Sequence, residues 1–300
     1  MSRLTGPQSN RAAGATARQH RHWNRQSYLQ RPDTGSAEPS CARLLRRAYA
    51  LMRSRFGHQH WWPGETPFEV CVGAILTQNT AWTNVERAIA NLKAAGVLEP
   101  RKLFALPEAT LAGLIRPAGY FNVKARRLRA FLSVLVNESE ADLRRLFTGE
   151  TAAVRARLLA IHGLGPETAD SMLLYAGGHA SFVIDAYTRR IFTRHGWLPA
   201  RAASGQDGAE TDRRAHASRR RSGRESTSTA QSAKPGYDEL KRLCEAALSH
   251  KTDAARLDYW QDYHAQLVRV GKEFCRTRVP RCAACPLQPL LPGPGAQTAC

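Results

Sequence analysis

The chain has 300 residues, 43% of them hydrophobic and 23% charged, a globular composition long enough for one large or two small packed domains. That excludes wholesale disorder, and the longest apolar stretches, such as Phe68 to Leu76, stop well short of the roughly 20 residues that a bilayer-spanning helix needs. Forty-four Lys and Arg against 25 Asp and Glu leave a formal charge of +19, which favours a polyanionic partner, nucleic acid first.

Residues 1–40 are rich in Arg, Gln, Ser and Gly without hydrophobic periodicity, so they cannot bury enough apolar surface to offset ordering and read as a disordered basic tail. Over residues 41–199 apolar side chains recur at helical spacing, as in Leu44, Leu45, Ala48, Leu51 and Met52, or Phe68, Val72, Ile75 and Leu76. Further helices are predicted at about 82–95, 107–115, 122–137, 151–161, 166–177 and 185–195, with Gly and Pro between them. Residues 200–234 turn to Ser, Arg, Thr and Gly, including Arg219, Arg220 and Arg221 in a row, and read as a disordered insert. Helical pattern resumes over 235–274, and residues 275–300 form a cysteine-bearing loop. Strand-like alternation is scarce, so the expected fold is all-α, a body interrupted once whose two parts can share a core. The tail and the insert each carry a net +4, which leaves most of the positive charge on the foldable part, where it can form a fixed surface for phosphates.

Seven cysteines, three of them clustered near the C-terminus, do not suit a disulfide scaffold in a chain without a secretory apolar core at its start. A reducing compartment is the expectation, the cytoplasm with its nucleoid; the Arg-rich, acid-poor opening also fits an organelle presequence. Cys41, Cys71 and Cys244 fall on helical patterns and read as small core residues.

The most informative stretch is Leu158-Leu159-Ala160-Ile161-His162-Gly163-Leu164-Gly165-Pro166-Glu167-Thr168-Ala169-Asp170. Two glycines one residue apart give a sharp turn, Pro166 suits a first helical position, and apolar runs flank both. This helix-hairpin-helix pattern points backbone N–H groups outward, able to grip a phosphate without reading sequence; an ordinary helix–helix turn has the same glycines. Twenty residues beyond Gly165, Asp185 follows the apolar trio Phe182-Val183-Ile184, as a helix N-cap or as a carboxylate partly withdrawn from water.

Hairpin and Asp at this spacing resemble the signature of the endonuclease III superfamily of DNA glycosylases, over about residues 41–199 and 235–290. Leu76-Thr77-Gln78-Asn79-Thr80 is similar to the family segment whose Gln enters the stack beside an extruded nucleotide, and Gly119-Tyr120-Phe121-Asn122-Val123-Lys124-Ala125 to its glycine and lysine helix start. The resemblance implies a two-lobed helix-hairpin-helix glycosylase fold, with residues 235–274 completing the second lobe, and Asp185 as the catalytic carboxylate. It also implies Gln78, Asn79, Gly163, Gly165 and Thr168 at the DNA, and a monomer acting on damaged double-stranded DNA, with no membrane role. A carboxylate there can stabilise the positive charge that builds on the sugar as the glycosidic bond breaks and can orient water, once the base has left the duplex.

Members that nick the strand through a Schiff base place a lysine two residues after the second hairpin glycine; Glu167 stands there and cannot form an imine, which favours a monofunctional enzyme. Trp61-Trp62-Pro63, and Trp82 just after the Gln-Asn-Thr segment, resemble the base pocket of bacterial 3-methyladenine glycosylases of this superfamily, and Glu167 and Lys272 match polar residues near it. The implied substrate is an alkylated purine, a cation drawn to π faces and weakened at its own glycosidic bond. Trp61 and Trp62 also suit core packing, and Lys272 an exposed helix end. The alternatives are an endonuclease III-like glycosylase and lyase on oxidised pyrimidines, and a non-catalytic hairpin protein that only binds DNA.

The last cysteines read Cys275-x6-Cys282-x2-Cys285. The family's version adds a fourth cysteine to hold a [4Fe-4S] cluster; Leu291 occupies that position here, and Cys300 is the next thiol. The resemblance implies a cluster held by Cys275, Cys282, Cys285 and Cys300, with zinc the chemical competitor and an absent metal a third reading.

Overall fold

The computed structural model describes residues 40–61, 64–198 and 235–292. The tail, Trp62, Pro63, the Arg-rich insert and Cys300 therefore lie outside the described residues. Among those described there is no strand, and no helix is long and apolar enough to cross a membrane. The fold is all-α, as the periodicity requires.

Two hydrophobic cores divide the helices. The first is built around α2 (Pro67–Leu76), whose N-cap Thr66 accepts from the Glu69 N–H and whose residues from Phe68 to Leu76 are all buried. A helix apolar on every side belongs at the centre. Around it pack α3 (Trp82–Ala94), α4 (Pro100–Ala105), α5 (Glu108–Leu114), α6 (Phe121–Asn137), α7 (Leu143–Leu146), α8 (Thr151–Leu159) and α9 (Pro166–Met172), burying Val85, Leu92, Leu103, Leu111, Leu128, Phe131, Val154 and Leu158.

The second core joins α1 (Ser40–Phe56) to α10 (Ala186–His195), α11 (Tyr237–Ala247) and α12 (Asp253–Glu273). Leu45, Ala48 and Met52 face Ile191, Phe192, Leu240, Cys244, Tyr263 and Leu267. The helices after the insert thus share a core with the first helix of the described chain.

Between α9 and α10 the chain passes from one core to the other. The predicted helix over 166–177 is α9 followed by a π-helical stretch, Leu173–Gly177, closed by Gly178 at φ 71°. A widened turn of this kind frequently marks a functional site, because it re-aims the side chains after it. Asp170, fully buried, ties the crossing down: it accepts from Arg155 at 2.8 and 3.1 Å and from the Ser181 hydroxyl at 2.6 Å. The short helices α4 and α7 were not expected from sequence, since six and four residues carry too few apolar repeats to show a period.

Candidate active site

Asp185 meets both readings its position allowed. It is the N-cap of α10, with Oδ1 accepting from the Thr188 N–H at 2.7 Å, and it is 8% exposed, below the buried trio Phe182-Val183-Ile184. Its Oδ2 lies 3.6 Å from His264 Nε2 on α12. Burial pushes the Asp185 carboxyl up, but His264 and the Thr188 N–H outweigh it and hold the group below the ordinary aspartate value.

Glu167, in the first turn of α9, moves the other way. Its side chain remains open to solvent, yet enough protein surrounds the carboxyl for burial to push it up, the Asp185 charge adding and His264 and Arg189 opposing. Two carboxylates with opposed shifts share one recess, an arrangement that separates an anionic role from a more readily protonated one.

Aromatic groups close the recess. The Trp61 ring meets Tyr175 edge-on, centroids 5.8 Å apart at 89°, and lies 6.0 Å from His264. Tyr175 comes from the π-helical stretch, and its hydroxyl lies 2.7 Å from His264 Nδ1 and 3.2 Å from the Gln261 carbonyl. The loop carrying Trp61 is fixed to α12 by buried Asp262, which accepts from the Gln59 N–H at 2.7 Å, the Tyr49 hydroxyl at 2.6 Å and Arg53 at 3.0 Å. Gln266 adds a bond to the Gly57 carbonyl at 2.6 Å.

The hairpin is braced from α6 and from the turn after α2. Gly163 sits at φ 86°, where only glycine is unstrained. Gln78 Nε2 donates to the Gly163 carbonyl at 3.1 Å and to the Thr168 hydroxyl at 2.9 Å, while Gln78 Oε1 accepts from Arg127. The amide expected to enter a base stack is thus a strut of the hairpin in this state. Lys124, 1% exposed, fixes the same turn by donating to the Leu76 carbonyl at 2.8 Å and the Ala118 carbonyl at 2.7 Å. Asn79 and Tyr120, at φ 54° and 47°, are exposed on this face.

The structure therefore gathers Asp185, Glu167 and Trp61 in one recess, and Gln78, Gly163 and Thr168 at the hairpin. Trp82 is half-buried against α2, where a Cβ on Gly73 would lie 3.2 Å from its ring, and packs with the first core. Lys272 is exposed in the last turn of α12, about 12 Å along the helix axis from His264. Tyr175 and His264 were missed from sequence; the π-helical phase change and a contact 89 residues apart leave no periodic trace.

Residues 72–214 match the HhH-GPD superfamily base excision DNA repair protein family. Over 246 residues, 82% of this chain and 94% of the relative, the sequence is 39% identical to a Methanocaldococcus jannaschii protein named as a DNA repair glycosylase. The chain belongs to the HhH-GPD superfamily of base excision DNA repair proteins. It is a DNA glycosylase of that superfamily, and solved structures share its fold. The Helicobacter pylori 3-methyladenine DNA glycosylase MagIII, bound to 1,N6-ethenoadenine, matches with a TM-score of 0.55 and 23% identity, over 76% of this chain and 97% of that one. A non-covalent endonuclease III–DNA complex matches with a TM-score of 0.60 and 18% identity, over 83% and 94%.

In this HhH-GPD chain the cysteine loop is lashed to the helix that Asp185 caps. Arg190 Nε donates to the Cys275 carbonyl at 2.6 Å, and Arg194 Nη1 approaches Cys275 Sγ at 3.3 Å. Cys275, Cys282 and Cys285 line one cavity with Arg194, His195, Phe274, Gln288 and Leu291. Burial pushes the Cys285 thiol up, with Cys275 and Cys282 adding to the shift. The three thiols thus share one cavity, but among the described residues no group of three or more His, Cys, Asp or Glu is arranged to hold a metal ion, and Leu291 offers no donor for a fourth ligand.

Proposed function

We propose that this glycosylase is monofunctional, acts as a monomer on duplex DNA, and hydrolyses the N-glycosidic bond of alkylated purines, with Asp185 facing the sugar of the extruded nucleotide. The observation that carries the reading is the recess itself: an anion-favouring Asp185, Glu167 where an imine-forming lysine would stand, and the Trp61 ring. Aspartate supplies negative charge to the oxocarbenium-like sugar and orients water. Trp61 and Tyr175 attract a cationic base, and the 1,N6-ethenoadenine bound by MagIII, whose fold is shared, is a modified purine.

Lys124, a buried amine near the hairpin, does not favour a lyase reading. Lys124 is pulled down to about 8, by burial first and by the Arg127 charge, but its Nζ is committed to two carbonyls and sealed from the surface. At the DNA, the Gly163–Gly165 hairpin would grip a phosphate through its backbone N–H groups, with Thr168 and Gln78 holding its shape. Asn79 and the exposed Tyr120 would meet the bases around the vacancy, and Trp62 and Pro63, next to Trp61 in sequence, would complete the pocket walls. The basic tail and insert would add sequence-independent phosphate contacts.

Cys275, Cys282 and Cys285, with Cys300 as fourth ligand, would hold a [4Fe-4S] cluster. When bound it would brace the loop bearing exposed Arg276, Arg278 and Arg281 against DNA phosphates.

The test is release of bases from a panel of alkylated and oxidised DNA, with borohydride trapping run in parallel. Release of methylated purine without a trapped adduct is expected. A covalent enzyme–DNA adduct, or release confined to oxidised pyrimidines, would overturn the reading.

A further inference from the structure

Half-buried Tyr175 and buried His264 form a chain of polar atoms that ends on Asp185. His264 is 3% exposed; its Nδ1 lies 2.7 Å from the Tyr175 hydroxyl, and its Nε2 makes no hydrogen bond within 3.5 Å but points at Asp185 Oδ2, 3.6 Å away. The phenol proton can go to Nδ1 at 2.7 Å or to the Gln261 carbonyl at 3.2 Å among the described groups, and the shorter contact favours Nδ1. Donation to Nδ1 places the proton of a neutral imidazole on Nε2. That tautomer turns an N–H toward Asp185 Oδ2. The Thr188 N–H already holds Oδ1, so one oxygen of the carboxylate is hydrogen-bonded and the other is faced by the imidazole edge at 3.6 Å.

We propose that His264, with its ring oriented by Tyr175, is a positioning residue that holds the Asp185 carboxylate ionised and turned toward the sugar of the extruded nucleotide. The inference rests on Asp185 being the reacting carboxylate. The π-helical stretch finds a use here: an extra residue in the turn aims the Tyr175 hydroxyl at Nδ1 while its ring supports Trp61. The lowered pKa of Asp185 is consistent with the contact. Other ionisable groups face the cluster: Glu167 from α9, Arg189 and Tyr187 from α10, and Asp262 from α12, which bears on Tyr175.

Single-turnover base release is measured against pH for wild type, His264→Leu, His264→Gln and Tyr175→Phe, together with affinity for a duplex carrying an uncleavable abasic-site analogue. In His264→Leu the acid limb is expected to move up by about one pH unit and the rate at neutral pH to fall ~10-fold or more, with analogue affinity unchanged within about twofold. His264→Gln, which restores a donor near the Nε2 position, recovers part of both effects. Tyr175→Phe keeps the ring packing and shows a smaller shift in the same direction, so the idea stays testable if the leucine variant folds poorly.

An acid limb that stays in place while rates drop equally at all pH values would overturn the proposal, as would a limb that disappears in a Glu167→Gln background. Asp185→Asn separates the two levels: full activity there defeats the function proposed above, whereas an inactive Asp185→Asn beside an unmoved His264→Leu profile defeats the positioning role alone.

Discussion

Replacing Gly163 by Ala perturbs two things at once, and the structure assigns a magnitude to each. At φ 86° an alanine pays the left-handed penalty of about 1–2 kcal/mol. Its methyl would also sit 2.3 Å from Arg127 Cγ and 2.9 Å from Cδ, a distance no real contact tolerates, so the arginine stem must swing away. That takes the guanidinium from Gln78 Oε1, a hydrogen bond to a charged group worth about 1.5–3 kcal/mol. Gly163→Ala should therefore destabilise the fold by about 3–5 kcal/mol in urea titrations followed by circular dichroism. In an Arg127→Ala background the clash and the bond are already gone, so only the backbone penalty of about 1–2 kcal/mol remains. The double-mutant cycle should return a coupling of about 1.5–3 kcal/mol. Equal costs in the two backgrounds would refute the clamp that joins the hairpin to Gln78 through Arg127.

Gly165 is extended, at φ −90°, with open space where a Cβ would point, so Gly165→Ala should change stability by no more than about 0.5 kcal/mol while weakening binding to duplex DNA severalfold by filling the phosphate position. Unchanged affinity in a fluorescence titration would argue against a phosphate there. Asp170→Ala leaves Arg155 with Asp238 alone, at 2.6 Å, and takes the acceptor from the buried Ser181 hydroxyl, so it should cost about 1–3 kcal/mol in chemical denaturation; a loss under about 0.5 kcal/mol would contradict the buried pairing. Glu167 has a raised carboxyl in the fold, so its contribution to stability is present below the ordinary glutamate value and is lost as pH rises through the raised one. Glu167→Gln should therefore melt higher than wild type at neutral pH, with the gap closing toward acid; a gap that widens on acidification would reverse the sign of the shift.

Hydrophobic periodicity made most of the helices legible, because α2, α6 and α12 bury long apolar faces, and at α2 the Thr66 cap and Pro67 mark the start. The hairpin was legible from its turn chemistry, since Gly163 and Gly165 mark a turn few other residues could make. Asp185 stands out in the sequence as an acid after an apolar trio and by its spacing from the hairpin; the structure makes it cap and buried carboxylate together, since the trio that sinks into the second core draws the cap with it. What stayed hidden depends on tertiary contact. Tyr175 and His264 meet across 89 residues, through a π-helical turn that shifts the helical phase by one residue. Gln78 was read as a probe of the DNA stack from its neighbours in sequence. Its three partners on the hairpin, on α9 and on α6 lie 85, 90 and 49 residues away and could not be read locally.

The most direct test of the central claim is single-turnover release of methylated purine from alkylated duplex DNA by wild type and by Asp185→Asn, a variant that keeps the N-cap acceptor for the Thr188 N–H. The account predicts a loss of ~10²-fold or more in the rate, with binding to the abasic-site analogue retained. Equal release by the two proteins would contradict it.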